Sequence, residues 1–396
     1  MDPSVLSTNL RRLRTAGKQS QGQVAEAAGL SRVGYRNIEA GEVMPRVDTL
    51  LRIAGALGVK LAELLVPART MRHVRFRAQK KMTTREELLS VVARDLENYN
   101  LLEELLGGKN AKLPFAFHHV REQYAQAAPG PERAKQAAAA ARRQARLDHQ
   151  GGPHELVRDI CGLLEDRGVK VLTPKIVASE GFFGLSIATE DGGPAIVVNT
   201  WDRISVERWI FTAAHELAHL ILHPGAYDVT RTEENEAEED EANVFASYFL
   251  MPPEVWRREL DDTRGLALLD RVLKLKRIFH VSWQTVIFRM TEDQPKEKKQ
   301  RYWQRFYFDY GRRAGRHLAK TEEPNPLPPR AFYSGAPADR AAEEPRGLES
   351  DDFVEDRRRR LVRLAVDRDL ISLSKAADTL GLTIEEMREL ADSWTE

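Results

Sequence analysis

Two histidines and a glutamate fall within one turn and a half of an apolar stretch, "FTAAHELAHLILH", residues 211–223. On a helix, His215 and His219 lie four residues apart and project from one face, so both imidazoles reach a single ion. Glu216 beside them is positioned to accept a proton from an attacking water. The HExxH pattern alone is of moderate specificity, since ordinary helices also carry histidines at this spacing. The apolar flanks favour the chemical reading, because polar groups buried among them need partners. Ala218 is small enough to let another element approach. The next acidic-to-apolar stretch, "EAEEDEANVFASYFLMP", supplies a third ligand from among Glu236, Glu238, Glu239 and Glu241. Glu239 shares the inward face with Ala242, Asn243 and Ala246. Glu238 and Glu241 are expected to face solvent, as acids that favour the positive end of the helix dipole.

These two motifs, with "IVVNT" before them, resemble the ImmA/IrrE family of metallo-endopeptidases over roughly residues 150–295. The resemblance implies a minimal zincin with a small sheet packed on the active-site helix. It implies His215, His219 and Glu239 as zinc ligands, with manganese as the alternative ion, and Glu216 as general base. The family usually has Gly where Ala218 stands. His223 lies on the same face, about 6 Å further along the axis, and is expected to end the helix and orient a neighbour. His280 and Tyr248 are candidate donors to an oxyanion, with neither assigned.

A second constellation sits at the N-terminus. Residues 5–66 read as short helices at tight spacing, with Gly29, Gly41 and Gly58 where helices end. In "SQGQVAEAAGLSRVGYRNIEAG" the helix "QGQVAEAA" is followed by a turn at Gly29 and by a second helix capped by Ser31. Arg32, Tyr35, Arg36 and Asn37 are expected on or near its exposed face, with Val33 and Ile38 inward; Arg and Asn are side chains that read base edges. Gly34 within this helix costs about 1 kcal/mol relative to Ala. The stretch resembles the XRE/Cro family over residues 6–66. By that resemblance Gln21 and Arg46 touch phosphate, and Arg14 pairs with Glu39 in a structural role.

Residues 1–81 hold 15 Lys+Arg against 6 Asp+Glu, although the whole chain has a formal net charge of zero. A basic head on a neutral chain suits a nucleic-acid module joined to something else. The longest apolar runs are too short to span a bilayer, no secretory signal is read at the N-terminus, and the single cysteine, Cys161, is read as a small core residue. A cytoplasmic location is expected.

The elements that must position both sites read as mainly α with a small β-sheet (α+β). Helices are expected at 83–106, opened by Thr84 and closed by Gly107, and at 154–167, 205–222, 236–251, 266–280 and 282–291. Strands are expected at "VKVL", "FFGLSIAT" and "AIVVNT". Four segments follow: an all-α helix-turn-helix domain over 1–66; a basic linker and helical connector over 67–150; a zincin-like domain over 151–295; and a helical C-terminal extension over 296–396. The last holds a Pro-rich linker (322–347) and a second helix-turn-helix-like unit whose Glu385, Glu386 and Glu389 would repel phosphate, marking it for packing rather than reading.

The expected function is a DNA-bound regulator, dimeric on paired half-sites, whose zinc domain cuts a regulator protein, itself or a partner. The basic linker 67–82 and the segment 125–153 are the candidate cut sites. The alternatives are a metal-binding regulator or antitoxin in which the metal domain is a sensor or protein-binding module.

Overall fold

The structure is a computed structural model that describes residues 3–17, 19–65, 71, 74–78, 85–107, 112–147, 156–177, 181–227, 235–319, 322–324 and 348–394. The chain divides into two compact units, Met1–Met71 with Met82–Asp95, and Arg72–Lys81 with Leu96–Glu396. Its architecture is mainly α with one small sheet, as read from the sequence.

In the first unit, five helices wrap one core: α1 (Pro3–Ala16), α2 (Gln21–Ala27), α3 (Arg32–Glu39), α4 (Val47–Leu57) and α5 (Leu61–Leu65). Leu10, Val24, Tyr35, Leu50 and Ile53 are its buried centre. Local chemistry sets the boundaries. Ser20 and Gln23 form a reciprocal capping box at α2, and the Ser31 hydroxyl accepts from the Gly34 amide at α3. Gly29 and Gly58 take left-handed backbone, φ 64° and 68°, which a glycine adopts without strain. Arg14 Nε and Nη2 donate to the two carboxylate oxygens of Glu39 at 2.7 and 2.9 Å, a fork-to-fork pair that ties α1 to α3.

The second unit is built on a four-stranded sheet of β1 (Val74–Ala78), β2 (Lys170–Leu172), β3 (Phe182–Ile187) and β4 (Ala195–Val198), in the order β1-β3-β4-β2. β1 and β4 flank β3 antiparallel, and β2 runs parallel to β4. The strand β1 corrects the sequence reading, which assigned residues 67–82 to a linker; the rest of that stretch, apart from Met71, and Thr84 lie outside the described residues. Its "VRFRA" alternates apolar and basic residues, but the Lys and Arg on either side hid that period.

The connector is corrected likewise. Of α6 (Arg85–Leu105), α7 (His118–Tyr124) and α8 (Pro131–Gln144), the last packs its buried Ala134, Ala137, Ala138 and Ala141 against α11 (Glu236–Leu250). Side chains of one carbon let two helices approach closely, so this alanine run is part of the core. Between them in the chain stand α9 (Ile160–Asp166), which starts six residues later than expected, at the Asp159 cap, and α10 (Val206–Leu222). Helices α12 (Pro253–Asp261), α13 (Leu268–Phe279), α14 (Trp283–Thr291) and α15 (Lys296–Ala314) follow, with Trp283 stacked on Phe306 at 4.7 Å. The Pro-rich stretch 325–347 lies outside the described residues.

The C-terminal helices α16 (Arg357–Asp367), α17 (Leu373–Leu380) and α18 (Ile384–Asp392) belong to this second unit rather than extending from it. Glu165, fully buried, accepts from the backbone amides of Asp356 and Arg357 at 3.1 and 2.9 Å and so caps α16. Arg357 and Lys170 meet Glu103 of α6 at 2.8 and 3.3 Å. Among the described residues no helix is long and apolar enough to cross a membrane.

Burial pushes the Glu165 carboxyl up to about 7, against the lowering effect of the two backbone donors. A carboxyl that titrates higher when folded than unfolded contributes stability that is present below its unfolded value and lost as pH rises to about 7. Tryptophan fluorescence follows this unit alone, because all six tryptophans, from Trp201 to Trp394, lie in it. Denaturation midpoints should therefore fall between pH 5 and pH 8 in the wild type and fall less in Glu165→Gln. Parallel pH profiles for the two proteins would show that this carboxyl does not carry the dependence.

Candidate metal centre and nucleic-acid interface

The helix α10 is buried along almost its whole length, under β3 and β4 and against α11. It opens at Ser205, whose hydroxyl accepts from the Arg208 amide. Glu216 is fully buried. The strand β3 passes over it at Gly184, where a Cβ would stand 2.6 Å from Thr212 Cγ2 and 3.3 Å from Glu216 Oε1. Only glycine lets the strand lie this close to that carboxylate.

His215, His219 and Glu239 converge. Their facing atoms are His215 Nε2 and His219 Nε2 at 3.0 Å, His215 Nε2 and Glu239 Oε2 at 3.1 Å, and His219 Nε2 and Glu239 Oε1 at 3.3 Å. Tetrahedral zinc with bonds of 2.0–2.1 Å puts neighbouring ligand atoms about 3.3 Å apart. The three donors therefore already stand near one face of such a tetrahedron, and the residues fit a divalent ion.

The other nitrogen of each imidazole is engaged. His215 Nδ1 lies 3.1 Å from Asn243 Oδ1, so it donates there and leaves Nε2 with its lone pair. His219 Nδ1 lies 2.9 Å from His223 Nδ1, and His223 Nε2 lies 3.1 Å from Glu241 Oε2. Donation in sequence, from His219 to His223 to Glu241, satisfies every atom of this relay. Arg133 of α8 pairs with both Glu241 oxygens, and the Gly130 amide donates to one of them at 2.6 Å. Burial pushes the His219 imidazole well below its ordinary range and lowers His223 too, which keeps both neutral and His219 able to ligate.

Two expectations about the acids fail here. Glu241 is 4% exposed and anchors the relay rather than facing solvent. Glu238 is half-buried and pairs with Arg75 of β1, whose Nη2 also donates to Glu239 Oε1 at 3.1 Å. Helical periodicity placed both acids outward, because it contained no information about basic partners more than a hundred residues earlier. Of the candidate oxyanion donors, Tyr248 donates to Glu292 at 2.5 Å, and His280 ends α13 in left-handed backbone. Tyr227, which the sequence reading passed over, is buried nearby with its hydroxyl donating to Ser186 Oγ of β3 at 3.0 Å. A cavity of about 900 Å³ opens beside Glu239 and Asn243, walled by Phe183, Phe211, Val244 and Phe288.

In the helix-turn-helix, Ser31, Arg32, Arg36 and Arg46 are exposed and Asn37 half-buried. Tyr35 is not a base-reading candidate: it is fully buried in the core, whereas Val33, expected inward, is 57% exposed. The two expectations fail together, since a rotation of α3 by part of a turn exchanges them. Gln21 donates to Glu39 Oε1 at 3.0 Å and so supports the ion pair with Arg14.

A peptidase-family model described as the IrrE N-terminal-like domain matches residues 164–291, and a helix-turn-helix model matches residues 10–64. The chain carries a helix-turn-helix and an IrrE N-terminal-like domain. Over 59 residues it is 34% identical to the cryptic phage CTXphi transcriptional repressor RstR of Vibrio cholerae serotype O1. That match covers 15% of this chain and 53% of the repressor, so the chain spans about half the length of this curated relative. The apo form of ComR from S. thermophilus is 13% identical, over 78% of this chain and 94% of its own, with a TM-score of 0.16, a superposition too poor to bear on the fold. Arg75 and Arg133 both lie before the matched IrrE N-terminal-like domain, yet they hold Glu239 and Glu241.

If the relay orients His219, losing it should loosen the ion without removing a ligand. Elemental analysis of the full chain should find one divalent ion, lost in His219→Ala. In His223→Ala chelator competition should show affinity about 10- to 100-fold weaker. Unchanged affinity in His223→Ala would mean that the relay only fills space.

Proposed function

We propose that this chain is a DNA-binding transcriptional regulator whose IrrE N-terminal-like domain is a zinc-dependent endopeptidase acting on a regulator protein, itself or a partner. The observation that carries the reading is the buried carboxylate of Glu216, one residue from His215 on the helix that brings His215 and His219 to Glu239. A site built only to stiffen the fold needs no such base and normally closes its ion with a fourth protein ligand.

The roles follow from the donors. His215, His219 and Glu239 would hold zinc, with manganese as the alternative. The ion supplies Lewis acidity, polarising a peptide carbonyl and lowering the pKa of water. Glu216 accepts the proton of the attacking water and returns it to the leaving amine. Asn243 and the His223–Glu241 pair keep the two imidazoles in the tautomer that ligates. The apolar cavity beside Glu239 receives side chains of the polypeptide to be cut, and β3 at Gly184 keeps bulk water from the Glu216 carboxylate.

In the first unit, Arg32, Arg36 and Asn37 would face base edges of a double-stranded operator and Arg46 a phosphate, with two copies of the chain on paired half-sites. The surplus of basic residues in the N-terminal stretch supports the electrostatic part of this binding.

Intact mass of the purified full chain, followed over time with zinc or manganese, tests the peptidase. Site-specific fragments are expected from the wild type and none from Glu216→Gln; fragments from both would mean a contaminating protease and would remove the support. A wild type that stays whole, alone and with candidate repressors, would leave a metal-bearing regulator without peptidase activity. For DNA, Arg36→Ala is expected to cost about 1–3 kcal/mol on an operator selected from random duplexes and to relax preference at one base pair. A uniform loss across all sequences would instead make Arg36 a phosphate contact.

A further inference from the structure

Glu239 has two suitors. Its oxygens face His215 and His219 at 3.1 and 3.3 Å, as a metal ligand's must. The same Oε1 also accepts from Arg75 Nη2 at 3.1 Å, while Arg75 Nη1 pairs with Glu238 one residue earlier. Arg75 is 8% exposed. It stands on β1, opposite Ser186 of β3, and two residues further along the strand Arg77 pairs with Gly184, the glycine that covers Glu216. A fixed cation thus neutralises the carboxylate that a dication would use, and the strand that carries it lies on the edge of the sheet at the centre.

We propose that Arg75 and a divalent ion compete for Glu239, so that ion binding weakens the hold of residues 74–78 on the sheet. The proposal rests on the metal reading above. A guanidinium and a dication a few ångströms apart in a poorly hydrated site repel each other. Drawing Glu239 toward the ion also takes charge from the pair that fastens β1. Linkage makes the effect reciprocal: if the ion loosens Arg75, then Arg75 must weaken the ion by the same factor. Removing Arg75 should therefore tighten metal binding, whereas a residue that merely orients a ligand weakens it when lost. The two roles give opposite signs.

The test uses the full chain and zinc alone. Competition against a chromophoric chelator should show Arg75→Gln binding zinc about tenfold more tightly than the wild type, with Arg75→Lys, which keeps the charge, close to wild type. Hydrogen exchange read by mass spectrometry should show the amides of residues 74–78 exchanging about tenfold faster in the wild type once zinc is saturating. In Arg75→Gln they should be fast with or without zinc. The exchange measurement on the wild type stands even if a variant folds poorly. Weaker zinc binding in Arg75→Gln, or unchanged or slower exchange in the zinc-loaded wild type, overturns the competition and leaves the metal reading intact. A wild type that binds no zinc overturns both.

Discussion

Placing two histidines and a glutamate inside one apolar helix, with a third histidine at its end, imposes a desolvation cost that only convergent hydrogen bonds offset. Much of the second unit answers that requirement. Asn243 and Glu239 come from α11 to His215 and His219, and Glu241 from the same helix reaches His223. Glu241 in turn needs Arg133 and the Gly130 amide at the start of α8. That is why α8 must lie against α11, and why its contact face is alanine: a larger side chain would hold Arg133 away from the carboxylate. Arg142, two turns and more along α8, donates to the Phe249 carbonyl at 2.6 Å and secures the other end of the same pairing.

The sheet answers a second constraint. A buried carboxylate needs an element packed closely over it, and Gly184 allows β3 to close over Glu216 with ordinary backbone. Once β3 is placed there, its free edge has to be covered or paired, and β1 pairs with it. The candidate metal centre is thereby supported by chain that precedes the stretch matching the IrrE N-terminal-like domain, since β1 and Arg133 both lie before it. Glu165 and Glu103 do comparable work at a distance, joining α9 and α6 to the C-terminal helices through buried charge.

What was legible in the sequence was whatever depends on neighbours a few residues away. The 3.6-residue period put His215 and His219 on one face and picked Glu239 from four acids, and the cap at Ser31 marked a helix start. The same period misled for Glu238 and Glu241, since acids near the start of a helix are ordinarily solvated. It misled for Tyr35 as well, because on a helix of eight residues a shift of part of a turn decides which aromatic or aliphatic side chain enters the core.

Only the tertiary structure decided the partners. Arg75 meets Glu239 across 164 residues, Arg133 meets Glu241 across 108, and Arg357 donates to the Tyr99 hydroxyl across 258. An arginine in a basic run and one that neutralises a half-buried carboxylate have the same local sequence; what separates them is where the backbone carries their counter-charges. Residue types and spacing therefore determined which chemistry the helix α10 offers. The fold decided which charges surround it, because Coulomb and desolvation energies depend on distance in space, and separation along the chain does not set that distance.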